Sequence, residues 1–148
     1  MADTRVQLEA EDWIRREWLP KYYNQQFRRE RLRLSAGGVF DFDAVSSDNM
    51  IVANISTSSG ITSGGKNPAG KIQKLRADML FLLMVCAEKR LIVLTEKSMY
   101  DLCLKEKENG RVPLEVEFVL TELPEVLSMS LRDARSIASK EVSPWNKP

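Results

Sequence analysis

Residues 39–57 read VFDFDAVSSDNMIVANIST. Two strand-like runs, VFDFDAVS and MIVANIST, flank Ser47-Asp48-Asn49, a polar segment with the length and composition of a hairpin turn. Side chains alternate along a strand, so Val39, Asp41, Asp43 and Val45 are expected on one face and Phe40, Phe42 and Ala44 on the other. Two carboxylates then share a face. On the return strand Val52, Asn54 and Ser56 alternate with Ile51, Ala53 and Ile55, which sets Asn54 and Ser56 alongside Asp43.

The flanking sequence supplies layers for this hairpin. Residues 3–19 predict a helix with Ala10, Ile14 and Trp18 as its stripe, Trp13 and Trp18 as core anchors, and i,i+4 pairs Glu11–Arg15 and Asp12–Arg16, stopped or bent by Pro20. A short strand-like run, residues 31–34, precedes Gly37-Gly38. After the hairpin, SSGITSGGKNPAG is a polar loop, and a helix over residues 69–87 follows with Ile72, Leu75, Met79, Leu82, Leu83 and Cys86 buried and Lys74–Asp78 paired on another face. RLIVLTE is a buried strand, residues 98–107 a short helix closed near Asn109-Gly110, VPLEVEFVLTELP a further strand, and residues 125–140 a last helix. The expected fold is α/β: one domain over residues 1–148, with a central mixed sheet, an antiparallel meander plus further strands, flanked by helices.

Composition narrows the chemistry. The chain of 148 residues has no histidine, which removes imidazole bases and histidine-ligated metals. Its 22 Lys plus Arg against 21 Asp plus Glu leave no net basic footprint, so any anion-binding surface must be local. The longest apolar run, residues 79–87, is too short to span a bilayer that needs about 20 residues. The N-terminus shows no apolar signal core, and two cysteines inside apolar or helix-like runs read as buried thiols in a reducing compartment. A cytoplasmic location without membrane contact is the expectation.

FDFDAVSSDNMIVANIST, with KIQKLRADMLFLLMV and RLIVLTEKSMYDLC downstream, resembles the PD-(D/E)xK nuclease-like superfamily, also called restriction-endonuclease-like, over roughly residues 3–105. The resemblance implies a core of helix, three-strand meander, helix and strand, with Asp43 at the metal-binding aspartate position. In that superfamily the next strand carries Glu, any residue, Lys; here those positions are Asn54, Ile55 and Ser56. The motif is degenerate. Each missing acid–base or electrostatic element costs on the order of 10² to 10⁴ in rate, so the resemblance implies a catalytically inactive domain acting in nucleic-acid or protein binding. The alternative is a metal-dependent nuclease whose residues have migrated: Glu11 or Glu17 would replace the carboxylate, and Lys66, Lys71 or Lys74 the cation. No cofactor is expected; Mg²⁺ or Mn²⁺ at Asp43 belongs only to the active alternative.

Two other stretches bear on ligands. KYYNQQFRRERLRL, residues 21–34, is the most basic segment, and Arg28, Arg29, Arg31 and Arg33 are candidate phosphate contacts, unless they are ion-paired with Glu115, Glu117, Glu122 and Glu125. Gly60 to Lys66 satisfies G-x-x-x-x-G-K between a strand and a helix, but Asn67 and Pro68 stand where a hydroxyl and an N–H donor belong, which leaves nucleotide-phosphate binding the weaker alternative. Expected partners are nucleic acid and a second copy of the chain through an apolar C-terminal strand edge.

Overall fold

The computed structural model describes residues 4–61, 65 and 68–142, with side chains described to residue 137. Its elements are α1 (Arg5–Trp13), a π-helical turn (Ile14–Trp18), α2 (Leu19–Tyr23), β1 (Phe27–Arg33), β2 (Val39–Ser46), β3 (Ile51–Ser56), α3 (Ala69–Leu83), β4 (Lys89–Leu94), α4 (Lys97–Glu108), β5 (Val116–Leu120) and α5 (Glu125–Val142). The strands form one five-stranded mixed sheet in sequential order: β1, β2 and β3 are an antiparallel meander, and β4 and β5 run parallel to β3. Helices α3 and α4 supply the parallel crossovers, as that topology requires. The architecture is the expected α/β sheet flanked by helices.

Each sheet face has its own core. Phe42, Val45, Val52, Ile92 and Leu94 pack with Leu75, Met79 and Leu82 of α3 and Met99 and Cys103 of α4. On the other face Ala44, Ala53, Ile55, Leu91 and Val93 pack with Ile14 and Leu19 of the first helical rod, which α5 contacts in turn. The strands β3 and β4 are buried almost throughout, the signature of strands covered on both faces. Arg90 donates to the carbonyls of Leu82 and Val85 at 2.7 and 2.8 Å, satisfying acceptors at the C-terminal end of α3.

Several boundaries differ from the sequence reading for identifiable reasons. Pro20 does not end the first helix: the π turn precedes it, the Leu19 N–H reaches the Ile14 carbonyl, and helical backbone continues through the proline to Tyr23. The first strand begins at Phe27, since burying its aromatic ring draws the arginines after it into the ladder. Helix α3 ends at Leu83, and Cys86 lies beyond it, exposed; only Cys103 is a buried thiol. Burial raises the Cys103 thiol to about 11, with Glu106 adding to the shift, so it stays protonated at neutral pH.

The alternation expected along β2 also breaks. Arg28 pairs with Val45 and Glu30 with Phe42, so three steps on β2 oppose two on β1, a bulge at Asp43 and Ala44. Phe42 and Val45 consequently face the same core, while Ala44 faces the opposite one. Asp41 and Asp43, which the bulge does not separate by face, differ instead in burial. Asp41 is exposed and paired with Arg31 at 3.2 Å, whereas Asp43 is drawn inward between α1 and α3.

Candidate functional site

The site forms where the β2–β3 ladder gives out. The ladder pairs Val45 with Val52 and Ala44 with Ala53; beyond that the side chain of Asp43 takes the place of a backbone acceptor. The Ile55 N–H donates to Asp43 Oδ2 at 2.8 Å, and the Asp43 N–H donates to Asn54 Oδ1 at 3.4 Å. Arg15, from the π turn, donates through Nε to the Asp43 carbonyl at 2.7 Å. Asn54 is 3% exposed, and its Nδ2 is the only buried side-chain polar atom without a hydrogen-bond partner among the described residues. A buried amide donor left unpaired costs about 1–3 kcal/mol, so such an atom marks a place where the fold is not optimised for itself alone.

Three carboxyls feel this environment. Burial pushes Asp43 up, against the pull of the Ile55 N–H and of the Lys74, Arg15 and Arg29 charges. Burial likewise raises Glu11, with the Asp43 charge adding to it and Arg15, Lys74 and Arg29 opposing. Asp78 rises to about 6, chiefly by burial, with Lys74 opposing and Asp43 reinforcing. One cation, Lys74, thus acts on all three carboxyls, and Asp43 is the group that couples them. The net arrangement is three carboxyls with raised titration points gathered about Lys74, Arg15 and Arg29.

No family model, no curated protein and no solved structure matches the chain. Function is therefore read from these residues alone.

Of the positions singled out in the sequence, Asp43 and Asn54 meet directly. Ser56 does not: at the end of β3 its Oγ accepts the Ser58 N–H at 3.3 Å, because β2 has left the ladder before reaching it. Glu11 and Lys74 act on Asp43 through space, whereas Glu17 lines a separate groove with Trp13 and Trp18. Lys71 is exposed on the first turn of α3, and Lys66 lies outside the described residues. Asp78 and Arg15 join the cluster although the sequence reading gave them only intrahelical partners. Their signal was present: Asp78 is a carboxylate on an otherwise apolar stretch of α3, one turn from Lys74.

A resident divalent ion does not fit this donor set. Among the described residues no three of Asp, Glu or Cys converge on a point that a metal ion would occupy. Asp43 already spends one carboxylate oxygen on the Ile55 N–H, and Asn54 presents an unpaired donor where a cation needs acceptors.

The arginines of β1 divide by face. Phe27, Arg29, Arg31 and Arg33 alternate with Arg28, Glu30 and Leu32; Arg29, Arg31 and Arg33 are exposed. Arg28 is structural, bonding Glu30 at 2.8 Å, the Ser46 carbonyl at 2.9 Å and Asn49 Oδ1 at 2.6 Å. Arg31 answers Asp41, and Arg29 and Arg33 form no ion pair with described residues. The acidic residues Glu115 and Glu117 cannot neutralise this row, since β1 and β5 are opposite edges of the sheet.

In the Gly60–Lys66 loop, the first glycine is explained by packing. A Cβ on Gly60 would lie 2.4 Å from the Ser98 carbonyl carbon, and the Gly60 N–H donates to Ser98 Oγ at 2.9 Å. The glycine lets the loop press onto the start of α4. No helix among the described residues is long and apolar enough to cross a membrane.

Proposed function

We propose that this chain is a nuclease-like α/β domain that binds nucleic acid along the arginine row of β1 and does not cleave it. The observation that carries the reading is the exposed row Arg29, Arg31 and Arg33 on an edge strand, with Arg29 also acting on Asp43 and Glu11. The order helix, three-strand meander, helix, strand supports the nuclease-like resemblance. The engaged carboxylate of Asp43 and the missing third ligand support binding over hydrolysis. Phosphate contacts of this kind fix position without reading bases, so affinity is weak, sequence-independent and steeply salt-dependent.

Fluorescence anisotropy with a labelled DNA duplex tests the proposal. Each phosphate contact contributes roughly 0.9 to the slope of log K against log salt, so Arg29→Ala plus Arg33→Ala should flatten that slope by about two while leaving the melting temperature unchanged. Absence of binding at low salt, or a slope indifferent to the double change, overturns the reading.

A second reading, a metal-dependent nuclease with migrated residues, is favoured by one observation: Glu11, Asp78 and Lys74 all act on Asp43. Incubation of DNA or RNA with the protein in Mg²⁺ or Mn²⁺ separates the two. Intact substrate agrees with binding alone; cleavage abolished by both Asp43→Ala and Lys74→Met establishes the second reading. Homodimerisation along β5 is not included in the proposal, because exposed Glu117 places a charge in the middle of that edge, a feature that discourages strand pairing.

A further inference from the structure

The π turn in the first helical rod realigns the aromatic residues on either side of it. Two side chains five residues apart on an ideal α-helix diverge by roughly 140°. Across a π turn, whose hydrogen bonds span five residues, they fall into line. Here the turn closes with the Leu19 N–H on the Ile14 carbonyl, and Trp13 and Trp18 line the same groove. Tyr22, one α-helical turn further, stacks on Trp18 with ring centroids 4.8 Å apart and planes 16° from parallel. Position 13 joins 18 and 22 in one aromatic wall because the helix is underwound at that point.

This wall opens on a groove of about 720 Å³ that Glu17, Lys21 and Glu122 complete. Glu17 and Glu122 form no ion pair with described residues, although Lys21 stands one helical turn from Glu17. Tyr22 is 64% exposed, while Trp13 and Trp18 rest one side on the core formed by Ile14, Leu19 and Phe27. Electron-rich ring faces flanked by unanswered carboxylates are complementary to one class of group, an organic cation that is weakly hydrated and planar or bulky. A metal ion does not match it, since the rings offer no ligand atoms, and an anion is repelled by both carboxylates.

We propose that this groove is a docking site for a basic peptide segment, seating an arginine or lysine side chain against the outside of the Trp18–Tyr22 stack between Glu17 and Glu122. Its charge preference is opposite to that of the β1 row, so the two surfaces select different partners and the proposal stands independently of nucleic-acid binding. Lys21 sets the threshold: it lies in the groove without an ion pair among described residues, and an incoming cation must displace its influence on Glu17.

Tryptophan fluorescence of the full chain, titrated with a blocked Gly-Arg-Gly-Arg-Gly peptide and with its norleucine counterpart, provides the test. The arginine peptide should alter the emission saturably at low salt, and the norleucine peptide should not. Glu17→Gln plus Glu122→Gln should weaken binding about tenfold and remove most of its salt dependence, Tyr22→Ala should weaken it several-fold, and Lys21→Ala should strengthen it. Tyr22 is exposed, so its substitution leaves folding intact, as circular dichroism would verify. Equal binding of the two peptides, no binding up to millimolar concentration, or indifference to both the double carboxamide change and Tyr22→Ala overturns the inference.

Discussion

The two ends of the β2–β3 hairpin use the same kinds of residue and treat them oppositely. At the turn the buried polar groups close on neighbours: Ser46 Oγ donates to Asp48 Oδ1 at 2.7 Å and accepts the Ile51 N–H at 2.9 Å, and Asp48 Oδ1 also accepts the Met50 N–H at 3.0 Å. Arg28 ties the Ser46 carbonyl and Asn49 to β1, and Asn49 adopts the left-handed conformation that asparagine tolerates. At the open end Asp43 replaces a ladder acceptor, Asn54 Nδ2 has no partner among the described residues, and three carboxyls are pushed upward. Closed networks stabilise a turn; an open one holds capacity for something outside the chain.

That contrast can be broken by substitution. The largest effect is expected at the closed end: Ser46 is fully buried, so Ser46→Ala leaves the Ile51 N–H without its partner and should cost about 1–3 kcal/mol, read from the midpoint of denaturant unfolding. At the open end Asn54→Leu removes a donor that is already unpaired together with an acceptor that meets the Asp43 N–H only at 3.4 Å, and stability should change by less than about 1 kcal/mol. A loss at Asn54 equal to that at Ser46 would erase the distinction between the two ends.

A pH titration sharpens it further. Asp78 is raised from 3.8 to about 6, so the folded protein holds a proton that the unfolded chain releases. The associated stability is present below pH 3.8 and lost as pH rises through 6. Asp78→Asn should therefore flatten the fall in unfolding midpoint between these two values and leave the profile alone elsewhere. The smallest effect belongs to the outer carboxylate. Arg31 beside Asp41 holds that group below its usual range, but the pair is exposed, and Asp41→Asn should leave the unfolding midpoint unchanged within error.

The hairpin, the parallel strands and the helices on either side were legible in sequence because each rests on a periodic apolar pattern or a turn residue. Asp43 was legible as well, by its position near the end of a strand-like run, and so was its meeting with Asn54. The exchange of faces between Ala44 and Val45 was not, since a one-residue bulge changes no residue type yet reverses which face each subsequent side chain occupies. Nor was the aromatic wall: Trp18 and Tyr22 share a face of a regular helix, but Trp13 would lie roughly 140° from Trp18 on it.

By itself, then, the sequence determined the α/β class, the order of elements, the absence of any imidazole chemistry and the basic character of β1. Tertiary structure decided which arginines are exposed, which carboxyls are buried, where the ladder opens and what the π turn aligns. The physical reason is range. Periodicity and turn chemistry act over a few residues, whereas burial and charge coupling join Glu11, Asp43, Lys74 and Asp78 from α1, β2 and α3, and no local pattern registers that approach.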